Sequence, residues 1–312
     1  MQIQKIKKQS VKTEKINNAV SKAPFRGLGV EDSKTIKNNT FKVWAVLATS
    51  IAIVMLAILL IKIGMDGMHR LSVQFFTSLP SRRAEEAGIF TAWAGTLWIM
   101  FTTAFIAIPI GIGAGIYLEE YSKKGWWSNF LEINISNLAG VPSIIYGLLG
   151  LEVFVRLLHM GQSILAGSFT LALLILPIII VSTRESLKAV PKTLREASYA
   201  LGASKWQTVW MQVLPAASGG VMTGIILALS RAIGETAPLI VVGALTYVPF
   251  TPKTVFDSFT VLPIQIFNWV SRPQAAFLVN AAAGIIVLLM ITIVMNGTAV
   301  LLRNRWQRNV KW

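Results

Sequence analysis

The sequence predicts an all-α, polytopic membrane protein with six transmembrane helices, and three observations predict it. Of the 312 residues, 54% are hydrophobic and only 14% charged, against about 25% charged in an ordinary soluble chain. Six apolar runs are long enough to cross a bilayer, at residues 43–63, 92–118, 138–157, 163–182, 221–244 and 275–302; crossing takes about 20 residues. Lys and Arg are distributed asymmetrically: with the N-terminus inside, 21 fall in inner segments and six in outer ones. That bias places both termini in the cytoplasm.

Residues 1–42 carry ten Lys/Arg against three acids and have no short apolar signal-peptide core. They read as a loose, basic cytoplasmic tail. Residues 43–63 form the first helix and 64–91 an external segment. Residues 92–302 form the core, with its longest inner loop at 183–217, and 303–312 form a second basic tail. The spans are helices because an open sheet edge cannot sit in lipid. A soluble α-protein with buried helices would not need six runs of this length.

The net charge of +15 marks sidedness rather than nucleic-acid binding, because basic residues in such a chain report which loops face inside. The sequence has no cysteine, which excludes disulfides, thiol nucleophiles and cysteine-held metals. His69 and His159 are too isolated for a metal site. No G-x-x-x-x-G-K-[ST] phosphate loop, H-E-x-x-H pair or aqueous carboxylate pair occurs. The chain is therefore expected to have no catalytic residues and no cofactor.

The 183–217 loop is not a polar linker. Apolar residues recur at helical spacing through Leu194, Ala197 and Leu201, then Trp206, Val209 and Val213. Gly202 interrupts, as suits a sharp turn between two short helices. Pro215 is expected to close the second helix and return the chain to the membrane. The apolar stripe of such a hairpin must be covered by the protein's own helix ends, by lipid or by a partner.

The fifth span carries Arg231, Gly234, Glu235, Thr236 and Pro238. An arginine deep in a bilayer costs about 2.5–3.5 kcal/mol even on gentle scales. Arg231 and Glu235 lie four apart, so they can share a helix face and neutralise each other. One reading is a pair that merely holds the helix. The other is a polar path in which Arg231 offers a donor fork to an anion, Glu235 tempers its grip, and Gly234 and Pro238 kink the helix open. The third span opens with Asn137, Gly140, Pro142, Ser143 and Gly147, which suits either close packing of small residues or a broken helix lining the path. Glu152 and Arg156, nearer an interface, read as a structural pair that can snorkel.

Glu196-Ala197-Ser198, Gly202 six positions after the glutamate, and Val213-Leu214-Pro215 resemble the EAA loop of bacterial binding-protein-dependent ABC importer permeases, with Ser198 replacing the usual second alanine. Arg231 to Leu239, RAIGETAPL, is similar to the PstA type of phosphate permease within that family, as are NLAGVPSIIYGLLG from Asn137 and IPIGIGAGIYLEEY from Ile108. The resemblance covers residues 90–302. It implies a type I ABC importer permease fold, the bacterial inner membrane, and inorganic phosphate as substrate. It also implies a heterodimer with a PstC-like permease, two ATPase subunits and an extracytoplasmic phosphate-binding protein. Arg231, Glu235, Ser143 and Thr236 become expected translocation residues. Glu196, Ala197, Ser198, Gly202, Leu214 and Pro215 become the ATPase-docking set, and Pro142, Gly234 and Pro238 the kinks. A permease for sulfate, molybdate or an amino acid would keep the docking loop without needing RAIGETAPL. A secondary anion transporter would leave the hairpin without purpose.

The absence of native thiols makes the topology directly testable. In Ser204→Cys the new thiol should react only with reagents that reach the cytoplasm, and in Thr251→Cys only with reagents from outside. The opposite labelling pattern would overturn the orientation.

Overall fold

The computed structural model describes residues 28–123, 125–245 and 247–307, with side-chain surroundings from residue 40 to 305. Every regular element among them is helical. Five helices are long and apolar enough to cross a membrane, or six if one bent pair is counted as a span. Residues 1–27, most of the basic N-terminal tail, and 308–312 lie outside the described residues.

Helix α1 (Leu28–Gly67) starts well before residue 43, so part of the segment read as a loose tail is helical. The chain divides into two units at Ile61. In the first, residues 40–61 are exposed on every side, including Trp44, Ile51 and Leu56. Apolar exposure around a whole helix is the condition of a segment surrounded by lipid.

The second unit begins at Lys62 and is organised around α6 (Ile164–Lys188). On one side lies α3 (Phe90–Ile116), extended by a π turn at Tyr117–Tyr121. On the neighbouring face lies α9 (Leu214–Ala232), which also packs on α12 (Ala276–Gln307). Both approaches are close because α3 and α9 offer glycine to bulkier groups on α6. A Cβ on Gly111 would stand 2.6 Å from Ile179 Cγ2, and one on Gly115 2.7 Å from Thr183 Cβ. Gly220 and Gly224 face Ser186 and Ser182 in the same way. Helices in lipid gain little from hydrophobic association, so close van der Waals contact of this kind carries their packing. Ala107, Leu174, Ile175, Ile179, Val221 and Ala228 fill the seams.

A second cluster, with Phe75, Ile89, Leu262, Trp269 and Phe277, covers the opposite end of the unit. Arg70 ties it down: Nε donates to Asn280 Oδ1 at 2.9 Å, and Nη2 to the carbonyls of Ala84 and Ala87, each at 3.2 Å. The helical backbone runs on through residue 67 and a 3-10 turn at Met68–Arg70, and the segment after it is pinned by short α2 (Val73–Thr77) against α11 (Leu262–Val270).

Two expected spans are interrupted within their limits. The third is not one helix from residue 138. Helix α4 (Trp126–Leu138) bends by 104° from α5 (Ser143–Gly150), which runs on through a π turn at Leu151–Leu157. Pro142 lacks an N–H and disfavours helical backbone at Val141, so the ladder breaks there. The fifth was expected at residues 221–244. Instead a helical stretch runs from Lys205 to Ala232, stops, and resumes as short α10 (Ala237–Val242). Pro215 does not close the hairpin's second helix. It sits in the first turn of α9, just after a π turn at Val209–Val213 whose wider ring accommodates a residue unable to donate.

Gly224→Ala should push α9 from α6, since the added carbon would overlap Ser182. Overpacking of this kind costs about 1–3 kcal/mol. Thermal unfolding in detergent should show a lower midpoint, largely restored by adding Ser182→Gly. An unchanged midpoint in the single variant would contradict the packing described.

Candidate functional site

The site has two parts, at the two ends of α9. At its C-terminal end the helix finishes at Ala232, with Ile233 N–H still making a helical bond to Leu229 O at 3.1 Å; beyond it the bonds are turn-like, Gly234 N–H donating to Arg231 O at 3.3 Å and Glu235 N–H to Ala232 O at 3.2 Å. Pro238 occupies the first turn of α10, where a missing N–H is harmless. Arg231 and Glu235 therefore do not lie on one continuous helix face. The carboxylate reaches back from the break, and Arg231 Nε meets Glu235 Oε1 at 3.3 Å. The Thr236 hydroxyl donates to Gly234 O at 3.4 Å.

The two broken spans meet. A Cβ on Gly147 of α5 would stand 2.7 Å from Pro238 Cα and 2.9 Å from its carbonyl oxygen, so α5 and α10 touch backbone to backbone. Pro142 caps α5, and Ser143, its first residue, is half-buried. Buried Tyr146, one turn on, donates its hydroxyl to Leu138 O at 2.7 Å and lies within electrostatic reach of Arg231. Sequence reasoning passed over Tyr146; a lone tyrosine after a Pro-Ser break was its only signal. The Arg231 side chain is 40% exposed and that of Glu235 18%. Arg231 therefore faces out of this chain, while Glu235 is largely covered by it. Glu152 and Arg156 pair at 2.9 Å in the π turn of the third span.

At the other end of α9 lies the hairpin. Helix α6 continues to Lys188, so residues 183–188 are not loop. After Pro191, α7 (Lys192–Ala200) carries Glu196 and Ala197 exposed and Ser198 half-buried. Gly202 has φ +84°, Ala203 N–H donates to Ser198 O at 3.2 Å, and Gly202 N–H to Tyr199 O at 2.9 Å. This paired pattern closes the helix and needs left-handed backbone, which glycine adopts freely. Helix α8 (Lys205–Thr208) opens with a capping box between Ser204 and Gln207. The Ser198 and Thr208 hydroxyls join α7 to α8 at 2.9 Å. Trp206 and Trp210 stack with ring centroids 5.5 Å apart, and Leu201 at the hairpin tip is 90% exposed. Leu194, Ala197, Ser198, Leu201, Gln207 and Met211 line a groove of about 490 Å³. Leu214 is half-buried and Pro215 exposed where the hairpin joins α9. The structure thus gathers Glu196, Ala197, Ser198 and Gly202 in one hairpin, and Arg231, Gly234, Glu235, Thr236 and Pro238 around one break.

The family model described as binding-protein-dependent transport system inner membrane component matches residues 107–308. The chain belongs to that family. A probable ABC transporter permease protein, YqgI of Bacillus subtilis, is 33% identical over 237 residues, covering 72% of this chain and 81% of its own. The phosphate transport system permease protein PstA of Yersinia pestis is 36% identical over 235 residues, covering 75% and 77%. A crystal structure of a bacterial ABC transporter importing alginate superposes with a TM-score of 0.64 at 15% identity, covering 88% of this chain and 99% of that one. The fold is that of a type I ABC importer permease. Both the hairpin and the break at residues 233–236 fall inside the matched family region.

Gly202 has nothing near its missing side chain, so substitutions there test backbone alone. Gly202→Val should cost about 1–2 kcal/mol through left-handed strain. Gly202→Asn should cost less, because Asn tolerates that conformation. Hydrogen exchange at the Gly202 and Ala203 amides should quicken in the valine variant and change little in the asparagine one. Equal exchange in both would contradict the turn assignment.

Proposed function

We propose that this chain is the permease subunit of an ATP-driven importer that carries inorganic phosphate into the cytoplasm. The observation that carries the reading is the RAIGETAPL stretch, where a paired arginine stands at a helix break and faces out of the chain. The similarity to a protein named as a phosphate permease supports it. On this reading Arg231, Glu235, Thr236 and Ser143 line a path closed by a second, PstC-like permease in the inner membrane. That would explain why Arg231, a charge carried by a membrane helix, faces away from its own chain. The exposed hairpin with Glu196, Ala197, Ser198 and Gly202 takes one of two ATPase subunits, and Leu214 and Pro215 join it to the path helix. A phosphate-binding protein delivers substrate from outside, and both termini lie in the cytoplasm.

The energetics agree. Phosphate near neutral pH is a mono- to dianion, and each charge costs about 2.3 kcal/mol against 100 mV. Uphill import therefore needs coupling, and this chain has no ATP-binding motif of its own. One arginine, half neutralised by Glu235, suits a site that must release what it binds. A tight trap would use several donors, a task fit for the binding protein.

In the assembled complex, Arg231→Gln should lower phosphate uptake about 10- to 100-fold, the scale of a lost charge-assisted hydrogen bond. The double variant with Glu235→Gln restores neutrality and allows a hydrogen bond across the break. If Arg231 handles the anion, that variant should remain as inactive as the single one. Near-normal uptake by the double variant would reduce the pair to a structural one. Uptake of labelled sulfate or molybdate in place of phosphate by the unaltered complex would overturn the substrate.

A further inference from the structure

Three consecutive residues in the π turn that ends α3 each hold a different part of the chain. Glu119 Oε2 accepts from Arg184 Nε of α6 at 3.2 Å. Glu120 Oε1 accepts from Arg195 of α7 at 2.6 Å from Nη2 and 3.1 Å from Nε. The Tyr121 ring receives Lys205, at the start of α8, with Nζ 5.0 Å from its centroid. Two adjacent carboxylates at the C-terminal end of a helix sit against its macrodipole, where they are unfavourable unless neutralised. The cations that neutralise them come from other helices.

The Glu120–Arg195 pair is the most enclosed of the three contacts: its side chains are 7% and 16% exposed. Arg195 Nη1 donates to Val190 O at 2.8 Å and Nη2 to Leu187 O at 2.9 Å, capping carbonyls at and just past the end of α6. One guanidinium thus joins α7 to α3 and α6. The neighbouring Glu196 is exposed, so α7 presents its acid and buries its arginine.

Such a pair is poorly suited to stability alone. Desolvation of two charges roughly cancels their attraction, and the attested advantage of buried ion pairs is geometric specification. What needs specifying is evident from connectivity. Helix α8 runs through its π turn into α9 and so to Arg231 without a break. Helix α7 has no such continuity, because Pro191 separates it from α6.

We propose that Glu120 and Arg195 are positioning residues forming a strut through which movement of the hairpin is passed to α3 and α6. Tyr121–Lys205 steadies the same turn, whereas Glu119–Arg184 ties it only to α6 and does not reach the hairpin. This rests on the importer reading. With the strut intact, ATP-driven displacement of the hairpin moves α3 and α6 together with α9, which carries Arg231. Without it, only α9 moves with the hairpin, and hydrolysis proceeds without productive transport.

The experiment uses the complete complex in proteoliposomes, with phosphate taken up and ATP hydrolysed measured together. Glu120→Gln should assemble and hydrolyse ATP, while phosphate taken up per ATP falls at least about fivefold, the low end of measured site-to-site couplings. Glu120→Asp, which keeps the charge, should recover part of that ratio. Glu119→Gln should leave it nearly unchanged, because Arg184 keeps Glu132 at 2.6 Å. An unchanged ratio in Glu120→Gln would overturn the proposal, as would loss of assembly, which would make the pair a folding element. Hydrogen exchange on the full chain in nanodiscs separates this from the importer reading: α7 amides should exchange faster in Glu120→Gln, and unchanged exchange would overturn the strut. If the unaltered complex fails to import phosphate while α7 exchange responds as expected, the substrate assignment fails and the strut stands.

Discussion

Helix α6 can be enclosed from two sides because its neighbours give up side-chain volume where it presents Ile179, Ser182, Thr183 and Ser186. In water such seams would be supplemented by the hydrophobic effect. In lipid they are not, so contact distance itself becomes the source of cohesion. Everything else in the second unit is placed by that enclosure. The position of α3 sets where its acidic end turn lies, and the position of α9 sets where its C-terminal break lies.

The charged pairs of the candidate site gather where the helical ladder is interrupted or finished. The breaks at residues 139–142 and 233–236 leave backbone groups outside the intrahelical pattern, and the contact of Gly147 with Pro238 brings the two broken spans together. Non-helical backbone at membrane depth is tolerated where protein encloses it or where it lines water. The outward-facing Arg231, paired to the more covered Glu235, fits the second condition on the proposed reading, because a second permease would complete the enclosure.

Much of this was legible in the sequence. Apolar run length located the spans, and a Gly between two amphipathic stretches marked the turn at Gly202. Their limits were less legible, for physical reasons. Pro215 reads as a stop, yet the π turn just before it lets the chain continue as one helix through a residue that cannot donate. Residues 233–236 are not polar enough to end an apolar run, so the break there escaped a hydropathy reading. Glu119, Glu120, Arg184 and Arg195 were legible only as charges. Their pairing spans 65 and 75 positions, and no periodicity within one helix reports a contact between helices.

The π turn at Val209–Val213 also has a consequence for how such a chain can drift. Each residue gained or lost in a helix rotates the remainder of that helix by about 100°. A π turn is a single-residue expansion held within an otherwise regular stretch. The hairpin's face and the Arg231 face are joined through it without any loop that could absorb a change in length. A one-residue insertion or deletion between Lys205 and Ala232 would therefore swing the tryptophan stack to another side of the molecule while leaving composition and hydropathy almost untouched. Substitutions can accumulate along this stretch, whereas its length is held by angular register.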